Sequence, residues 1–446
     1  MGGFTDSRSP GNRAEVMAND DSYELSGETE PDSMDDEEDE IQFNNLFVAA
    51  TCAIYMYHEK YIWKAPSMPS KETGEMWVLN VLNGDPSRCL EAFRMPKEIF
   101  IDLLGELGSK YGLRGSRSTS IKEVLAMTLS VLGCNESNRT VCKRFQHSGE
   151  TVSRYFNEGL MALARMSLDI ISPSDFEPNI ARDTKYMPYF KDCIGIIDST
   201  HVKARVTVND QVAHTGKKEP PKQKVLAVCD FNMCFTFVVP GWEGSTEDGT
   251  ILNQVISDPA HNFPAPLKGK YYLVNCRCPM RRGFLQPYRE NDRLPDFWPF
   301  CEFSHDYQRV FNQRHSSLHS VIKRAFGIWK KKWIVLQDMP FFSFEKQRLI
   351  VAATMALHNY IRRHHSRSDP DFREYDENPE FVPSETQKYH VAEDPISQPG
   401  EYNGQDEYDY SDEDDLDFEG ENDDTLSMAQ LRDRIAHELA TGAVSI

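Results

Sequence analysis

The chain has 446 residues, enough for two or three domains, and carries 70 acidic against 49 basic side chains. The charge is unevenly spread, because residues 1–40 hold 14 acids and two bases and residues 365–446 hold 24 acids and five bases. The part between them is therefore net basic, which suits a polyanionic partner. The acid-rich ends have too little apolar content to form a core, so we predict acidic disordered arms over 1–40 and 365–424.

Cysteine usage and hydropathy exclude several classes of protein. The ten cysteines show no paired framework, and the acidic N-terminus is unlike a secretory signal, so we expect reduced thiols in the nucleus or cytosol. Neither Cys229–Cys234 nor Cys276–Cys278 has the spacing of a zinc site. The longest apolar run, 46–57, is shorter than the roughly 20 residues of a membrane span, and it predicts a buried helix.

Residues 41–170 have the pattern of a helical region. Apolar residues recur at helical spacing over 77–84, 96–107 and 120–132, and Ser120 with Glu123 forms a capping-box pattern. A short helix over 138–145, a turn with Gly149 and a longer helix to about 168 follow. This order predicts a helix-turn-helix in which Arg144, Ser153 and Arg154 contact DNA. A plain helical bundle without DNA contact remains the alternative.

The pattern changes over 190–364, after a Pro- and Asp-containing linker. Strands are predicted at 194–198, 224–230, 234–239 and 271–274, and helices at 250–257, 310–332 and 344–363. The order predicts an α+β protein whose second domain is a ribonuclease H-like mixed sheet flanked by helices. Asp198 ends the first strand. A lone aspartate there is more often a turn residue than a catalytic one, and chemistry at such a site would need clustered carboxylates for two metal ions.

Several ordered blocks of the sequence resemble PIF/Harbinger transposases. They include Arg144–Arg154, Ile197–Val202, Leu226–Phe231, Gly241–Asp248, Tyr271–Asn275, Phe311–Leu318 and Val321–Gly327. The resemblance runs from about residue 41 to 364. It implies a helix-turn-helix region followed by a DDE endonuclease domain whose three carboxylates bind divalent metals.

The resemblance also shows where this chain departs from the family. The first metal-binding Asp is Asp198, but the second falls on Asn275 and the Glu falls on Lys323. An amide is a weaker metal ligand than a carboxylate, and an ammonium places a cation where the metal would lie. We therefore expect a domesticated transposase without nuclease activity and without a cofactor. The alternative is an active Mg²⁺- or Mn²⁺-dependent endonuclease that recruits other acids, such as Glu290 or Asp292.

Two further expectations concern the degenerate site. Asp248 matches an Asp that the family keeps, and it is either a residual metal ligand together with Asp198 or a helix cap. Lys323 is predicted to form an ion pair with Asp198 in place of the metal, with a solvent-facing Lys323 as the alternative.

The partners that the resemblance implies are DNA, a separate Myb-like DNA-binding protein and a chromatin-modifying complex, all in the nucleus. Domesticated plant members, of the type that antagonises a like heterochromatin protein, resemble accessory subunits of this kind. Pure protein scaffolding without DNA contact remains a weaker alternative. The basic side chains predicted to contact DNA non-specifically are Lys217, Lys218, Lys222, Lys224, Lys330, Lys331 and Lys332.

The C-terminal segment 425–441 has the pattern of an amphipathic helix. Ser427 is the predicted cap, with Gln430 three residues later. The apolar stripe consists of Met428, Leu431, Ile435 and Leu439. Because an acidic linker precedes it, we predict a partner-binding helix, with a strap onto the chain's own core as the alternative.

Overall fold

The computed structural model describes the residues 34–62, 73–173, 183, 185–206, 221–275, 278, 280–289, 304–365, 369–378 and 422–442. The chain divides into two compact units, 1–69 and 70–446. Most of both predicted acidic arms, together with Lys217, Lys218, Glu290 and Asp292, lies outside the described residues.

The first unit contains one long helix, α1, over Met34–Tyr57, continued by a π-helical turn over His58–Ile62. Its apolar residues are exposed, Leu46 by 70% and Phe47 by 63%, so the prediction of a buried helix is wrong. The predicted disorder is also wrong for residues 34–40, which are helical. Acidic residues are favourable in the first turns of a helix because they face the positive end of its dipole. Among the described residues, none of the helices is both long and apolar enough to cross a membrane.

Six helices begin the second unit. They are α2 over Gly74–Asn83, α3 over Pro86–Phe93, α4 over Lys97–Ser109, α5 over Ile121–Cys134, α6 over Asn138–Phe145 and α7 over Gly149–Ile170. Ser120 caps α5 as predicted, since its hydroxyl accepts from the Glu123 amide at 3.2 Å. The return half of the capping box is absent, because the Glu123 carboxylate instead contacts His147 Nε2 at 2.9 Å.

A five-stranded mixed sheet follows, which confirms the α+β class. Its strands are β1 over Cys193–Lys203, β2 over Lys222–Cys229, β3 over Phe235–Glu243, β4 over Tyr271–Leu273 and β5 over Phe284–Leu285, in the order β3-β2-β1-β4-β5. The first three strands are antiparallel neighbours, whereas β4 and β5 run parallel to β1. The sequence did not predict β5, because two residues carry no alternation.

Helices cover the sheet. Side chains of α8, over Asp248–Ser257, join Ile197 and Leu226 in one apolar cluster. The long helix α9, over Ser304–Lys332, packs its Phe326 and Trp329 rings on Phe235. Helix α10, over Phe344–His365, packs against both α7 and β3. Because side chains alternate along a strand, β1 presents Ile197 and Ser199 to one face and Asp198 to the other.

The core does not end at residue 364, so the predicted linker is wrong over its first part. Helix α11, over Pro370–Glu377, buries Phe372 and Tyr375. Its N-cap Asp369 forms a buried ion pair with Lys332 at 2.7 Å, and Asp371 adds a second contact to Lys332 at 2.9 Å. Lys332 is 2% exposed, so the prediction that it contacts DNA is also wrong.

The C-terminal helix α12, over Asn422–Thr441, packs against α9 and β5. Met428 and Ile435 are buried, and Tyr288 donates a hydrogen bond to Asp433 Oδ1 at 2.5 Å. The strap alternative therefore holds, and the prediction of a partner-binding stripe is wrong for these two apolar residues. Leu431 and Leu439 are half-buried. Ser427 is not the cap, because the helix begins five residues earlier, where acidic residues favour a helix start.

The buried pair of Lys332 predicts an unequal effect of two neighbouring substitutions. Lys332→Met leaves Asp369 charged and uncompensated in the core, so we expect a loss of about 3–5 kcal/mol in the free energy of unfolding. Lys331→Met is the matched control, since the Lys331 side chain is 50% exposed in its pairs with Asp371 and Glu374 and should cost about 1 kcal/mol or less. Urea unfolding of the full chain at pH 7 measures both. Equal losses would contradict this.

Candidate functional site

The candidate site lies where β4 ends beside the middle of β1, which runs on to Lys203, so the prediction that Asp198 ends its strand is wrong. Ile196 and Leu273 are paired in the parallel register, so Asp198 and Asn275, each two residues further along, reach the same edge of the sheet. Asp198 is 5% exposed and Asn275 is half-buried. The Asp198 Oδ1 atom accepts a hydrogen bond from the Ser199 amide at 2.9 Å. The fold thus places two of the three positions that correspond to the metal-binding carboxylates of the family on neighbouring stretches of backbone.

Asp248 is the centre of the polar contacts at this edge. It is the first residue of α8 and is 8% exposed. Asn275 Nδ2 donates to Asp248 Oδ2 at 3.1 Å, and the Ser199 hydroxyl donates to Asp248 Oδ1. The N-cap position belongs to Glu247, which makes no side-chain capping bond. The carboxylate of Asp248 therefore accepts hydrogen bonds from Ser199 and Asn275 and does not cap α8. The interpretation of Asp248 as a helix cap is wrong.

Lys224 supplies the positive charge of the site. Its ammonium lies 3.1 Å from Asp248 Oδ1 and donates to the Thr246 carbonyl at 2.7 Å. The residue is 6% exposed, so the prediction that it contacts DNA is wrong. The strand pattern contained a signal for this position. Lys224 shares its face of β2 with Leu226 and Val228, both members of the apolar cluster, and a charge on such a face must be paired.

The contacts of Asp248 set its protonation. Burial alone raises its pKa, but the Lys224 ammonium and the hydrogen bonds from Ser199, Lys224 and Asn275 outweigh burial and lower the pKa below the ordinary value. Asp248 is therefore an anion at neutral pH, and the site contains a compensated charge pair.

Lys323 does not take the role predicted for it. It is half-buried on α9, and within the described residues no ion pair joins it to Asp198. Two helical turns further on, Lys330 donates to Thr200 Oγ1 at 2.7 Å. Lys330 thus makes a hydrogen bond from α9 to β1, and the predicted Lys323–Asp198 pair is wrong. The cation beside a site carboxylate comes from β2 instead.

The residues that the structure describes around Asp198 and Asp248 do not fit a two-metal centre. The described parts of the chain contain no group of three or more His, Cys, Asp or Glu side chains that could hold a metal ion. The Asp248 oxygens accept from three neighbours, and the Asn275 amide presents a donor to them. A buried ammonium also repels a divalent cation. Asp198 and Asp248 together are therefore a poor pair of metal ligands.

The other predicted DNA-contact residues differ in accessibility. Ser153 and Arg154 are exposed in the first turns of α7. Arg144 is half-buried, because it is hydrogen-bonded to Glu136 and lies 4.8 Å from the Trp77 ring. Arg139 and Lys143, which we did not single out from the sequence, are exposed on α6. Lys222 and Lys330 are half-buried, and Lys331 pairs with acids of α11.

Comparison with known proteins identifies the class to which this sheet and site belong. Residues 197–359 match the DDE superfamily endonuclease family, and residues 69–165 match a domain of unknown function. The chain therefore carries a DDE superfamily endonuclease domain.

Two animal proteins and one plant protein are similar to this chain. The chain is 25% identical over 174 residues to the Bos taurus protein named "Putative nuclease HARBI1", and 25% identical over 175 residues to its Homo sapiens counterpart. It is 24% identical over 265 residues to "Protein ALP1-like" of Arabidopsis thaliana. These matches confirm the resemblance to Harbinger transposase-derived proteins.

The matches cover only part of each protein. They include 38% of this chain in the two animal comparisons and 54% in the plant comparison. The chain spans 46% of the animal proteins and 61% of the plant protein. No solved structure matches the chain.

The Lys224–Asp248 pair predicts a pH-dependent cost of removing the cation. Lys224→Met leaves a buried carboxylate uncompensated, and we expect a loss of about 3–5 kcal/mol in unfolding free energy at pH 7. Because the pKa of Asp248 is lowered, the pair's contribution is complete above about pH 4 and is lost as pH falls through the lowered pKa. The penalty of Lys224→Met should therefore shrink towards pH 3, as urea unfolding at several pH values will measure.

The control for this prediction removes both charges. Lys224→Met combined with Asp248→Asn leaves no buried charge, so the double variant should lose less than Lys224→Met alone. A single variant whose cost is the same at pH 3 and pH 7 would show that Asp248 is not the charge compensated by Lys224.

Proposed function

We propose that this chain is a nuclear, DNA- and chromatin-associated accessory protein that keeps the DDE endonuclease fold and does not cleave DNA. The observation that carries the proposal is the Lys224–Asp248–Asn275 contact set at the strand ends. There Asn275, at a position that the family fills with a metal-binding Asp, donates an amide to Asp248, and a buried ammonium lies beside the same carboxylate. Gene regulation by recruitment to DNA, together with a Myb-like protein or a chromatin-modifying complex, is the role we assign to it.

Two features support a DNA-associated role. The part of the chain between the acidic ends is net basic, as expected for a surface that meets phosphate. Helices α6 and α7 form a short helix, a turn at 146–148 and a longer helix, with exposed Arg139, Lys143 and Arg154. This order resembles a helix-turn-helix, whose second helix enters the major groove by its N-terminal residues.

The proposed loss of the metal site predicts what restores it. Asn275→Asp with Lys323→Glu returns the carboxylates of the family, and Lys224→Gln removes the competing ammonium. We expect the triple variant to be less stable than the natural chain without metal, because the native and the introduced acids then repel one another. We expect Mn²⁺ or Mg²⁺ to raise its Tm by binding the folded state. The natural chain should show neither this shift nor metal-dependent cleavage of duplex DNA.

The matched control carries two of the same charge changes on exposed positions, Asn262→Asp with Lys143→Glu. Its Tm should not respond to the metal. A natural chain that is stabilised by either ion and cleaves DNA would instead establish the active endonuclease, which could draw on Glu290 or Asp292.

DNA association predicts a salt-dependent affinity. The full chain should bind duplex DNA at low salt, with an affinity that falls steeply as salt rises because phosphate contacts release counterions. Arg154→Ala should weaken binding and reduce the slope of log affinity against log salt by about one. Lys110→Ala, an exposed change at the end of α4, is the control. Fluorescence anisotropy measures both, and no binding at low salt would favour a protein scaffold without DNA contact.

A further inference from the structure

A cavity of about 910 Å³ lies between α12 and the end of the sheet opposite the candidate site. Three residues at strand starts line the cavity. Asp192 comes directly before β1, Tyr271 is the first residue of β4 and Phe284 is the first residue of β5. Since β1, β4 and β5 are parallel, these residues mark the starts of the strands, whereas Asp198 and Asn275 lie further along the chain. The cavity is thus separate from the strand ends that correspond to the nuclease centre.

The lining of this cavity, which we call the basic groove, combines cations with apolar surface. The cations are Lys268, Lys270, Arg281, Arg282 and Arg434, against the single acid Asp192. Asp192 pairs with Lys270 at 3.0 Å, whereas Lys268 and Arg434 are exposed. Apolar surface comes from Phe263, Leu267 and Leu431, and Leu267 is 78% exposed. A matching ligand is a chain that carries several negative charges and some apolar side chains.

The sequence supplies such a ligand next to the groove. Residues 406–421 contain ten acids and no base, interspersed with Tyr408, Tyr410, Leu416 and Phe418. The segment ends where α12 begins, and Ser427 and Met428 of α12 already line the groove. Five residues of helix measure about 7.5 Å. The segment's C-terminal end therefore starts close to the groove, and 16 residues can span roughly 55 Å when extended.

We propose that the acidic segment 406–421 is the occupant of the basic groove. Charge favours the contact, and the aromatic and aliphatic residues of the segment suit the apolar half of the lining better than a sugar-phosphate backbone does. The tether adds to this, because a short linker gives an effective concentration in the millimolar range. Because the segment occupies the basic groove, other polyanions are excluded from it. DNA then binds at the surface around α6 and α7. This inference goes beyond the proposed function and does not depend on it.

The test measures binding of a labelled peptide, residues 406–421, to two forms of the full chain by fluorescence anisotropy. In the neutralised chain, the ten acids of 406–421 are replaced by Asn and Gln. The peptide should bind the neutralised chain, more weakly as salt rises. It should bind the natural chain at least about tenfold more weakly, because the tethered segment competes for the groove. Equal affinity for both forms would overturn the proposal.

Variants of the neutralised chain locate the contact. Lys268→Glu with Arg434→Glu, both exposed, should weaken peptide binding at least about tenfold through charge repulsion. Arg114→Glu with Arg117→Glu makes the same charge change in the exposed loop before α5 and should leave binding unchanged. Matching Tm values for the variants show that folding is intact. If the two pairs of substitutions act alike, the groove is not the site.

Two competing ligands test the identity of the occupant. A peptide of residues 29–40 contains eight acids and no aromatic residue, and it should bind the neutralised chain more weakly than 406–421. Equal binding would mean that the groove does not select this segment, which overturns the proposal. Duplex DNA is the second competing ligand. If Lys268→Glu with Arg434→Glu abolishes the binding of DNA and leaves the binding of the peptide intact, nucleic acid is the occupant instead.

Discussion

The buried contact between Lys224 and Asp248 constrains the other polar side chains of the candidate site. An ionised carboxylate with little solvent access requires compensation, and the oxygens of Asp248 receive it from an ammonium, an amide and a hydroxyl. In a two-metal nuclease, divalent ions supply that compensation. Here the protein supplies it from β2, β1 and Asn275, which lies two residues after β4. The same fold can therefore keep its acidic strand ends without a metal, provided that the cation is buried with them.

The two buried lysines show why part of the site could not be predicted. Both Lys224 and Lys332 lie in sequence neighbourhoods rich in basic residues, where a solvated charged face is the usual outcome. Their partners are distant, since Asp248 follows 24 residues after Lys224, and Asp369 follows 37 residues after Lys332 in a stretch that composition marked as a linker. Only the tertiary fold decides that these pairs meet. Alternation along β2 gave a partial signal for Lys224, whereas nothing local gave one for Lys332.

The elements with strong periodicity were predictable. The apolar runs of β1, β2 and β3, the Ser120 cap and the long helices α9 and α10 follow from alternation, capping chemistry and helical spacing. The two-residue strand β5 and the eight-residue helix α11 were missed, because neither is long enough for a period to show. The resemblance to Harbinger transposases singled out Asp198, which lies on β1, and Asn275, which lies two residues after the adjacent strand β4. It could not show that a residue outside the family's metal-binding set, Lys224, would supply the cation.

The contact set also bears on how a metal site could be built at these positions. Asn275 donates to Asp248, so an aspartate at that position would bring two carboxylates together and remove a hydrogen bond at the same time. Lys224 would still lie 3.1 Å from Asp248 and oppose a divalent ion. Each single reversal therefore costs stability before any metal can bind, and only a combined change removes the conflict. The buried ammonium in this sense opposes a metal site even when one carboxylate is restored. The charge pair is at the same time part of the packing between β2 and α8.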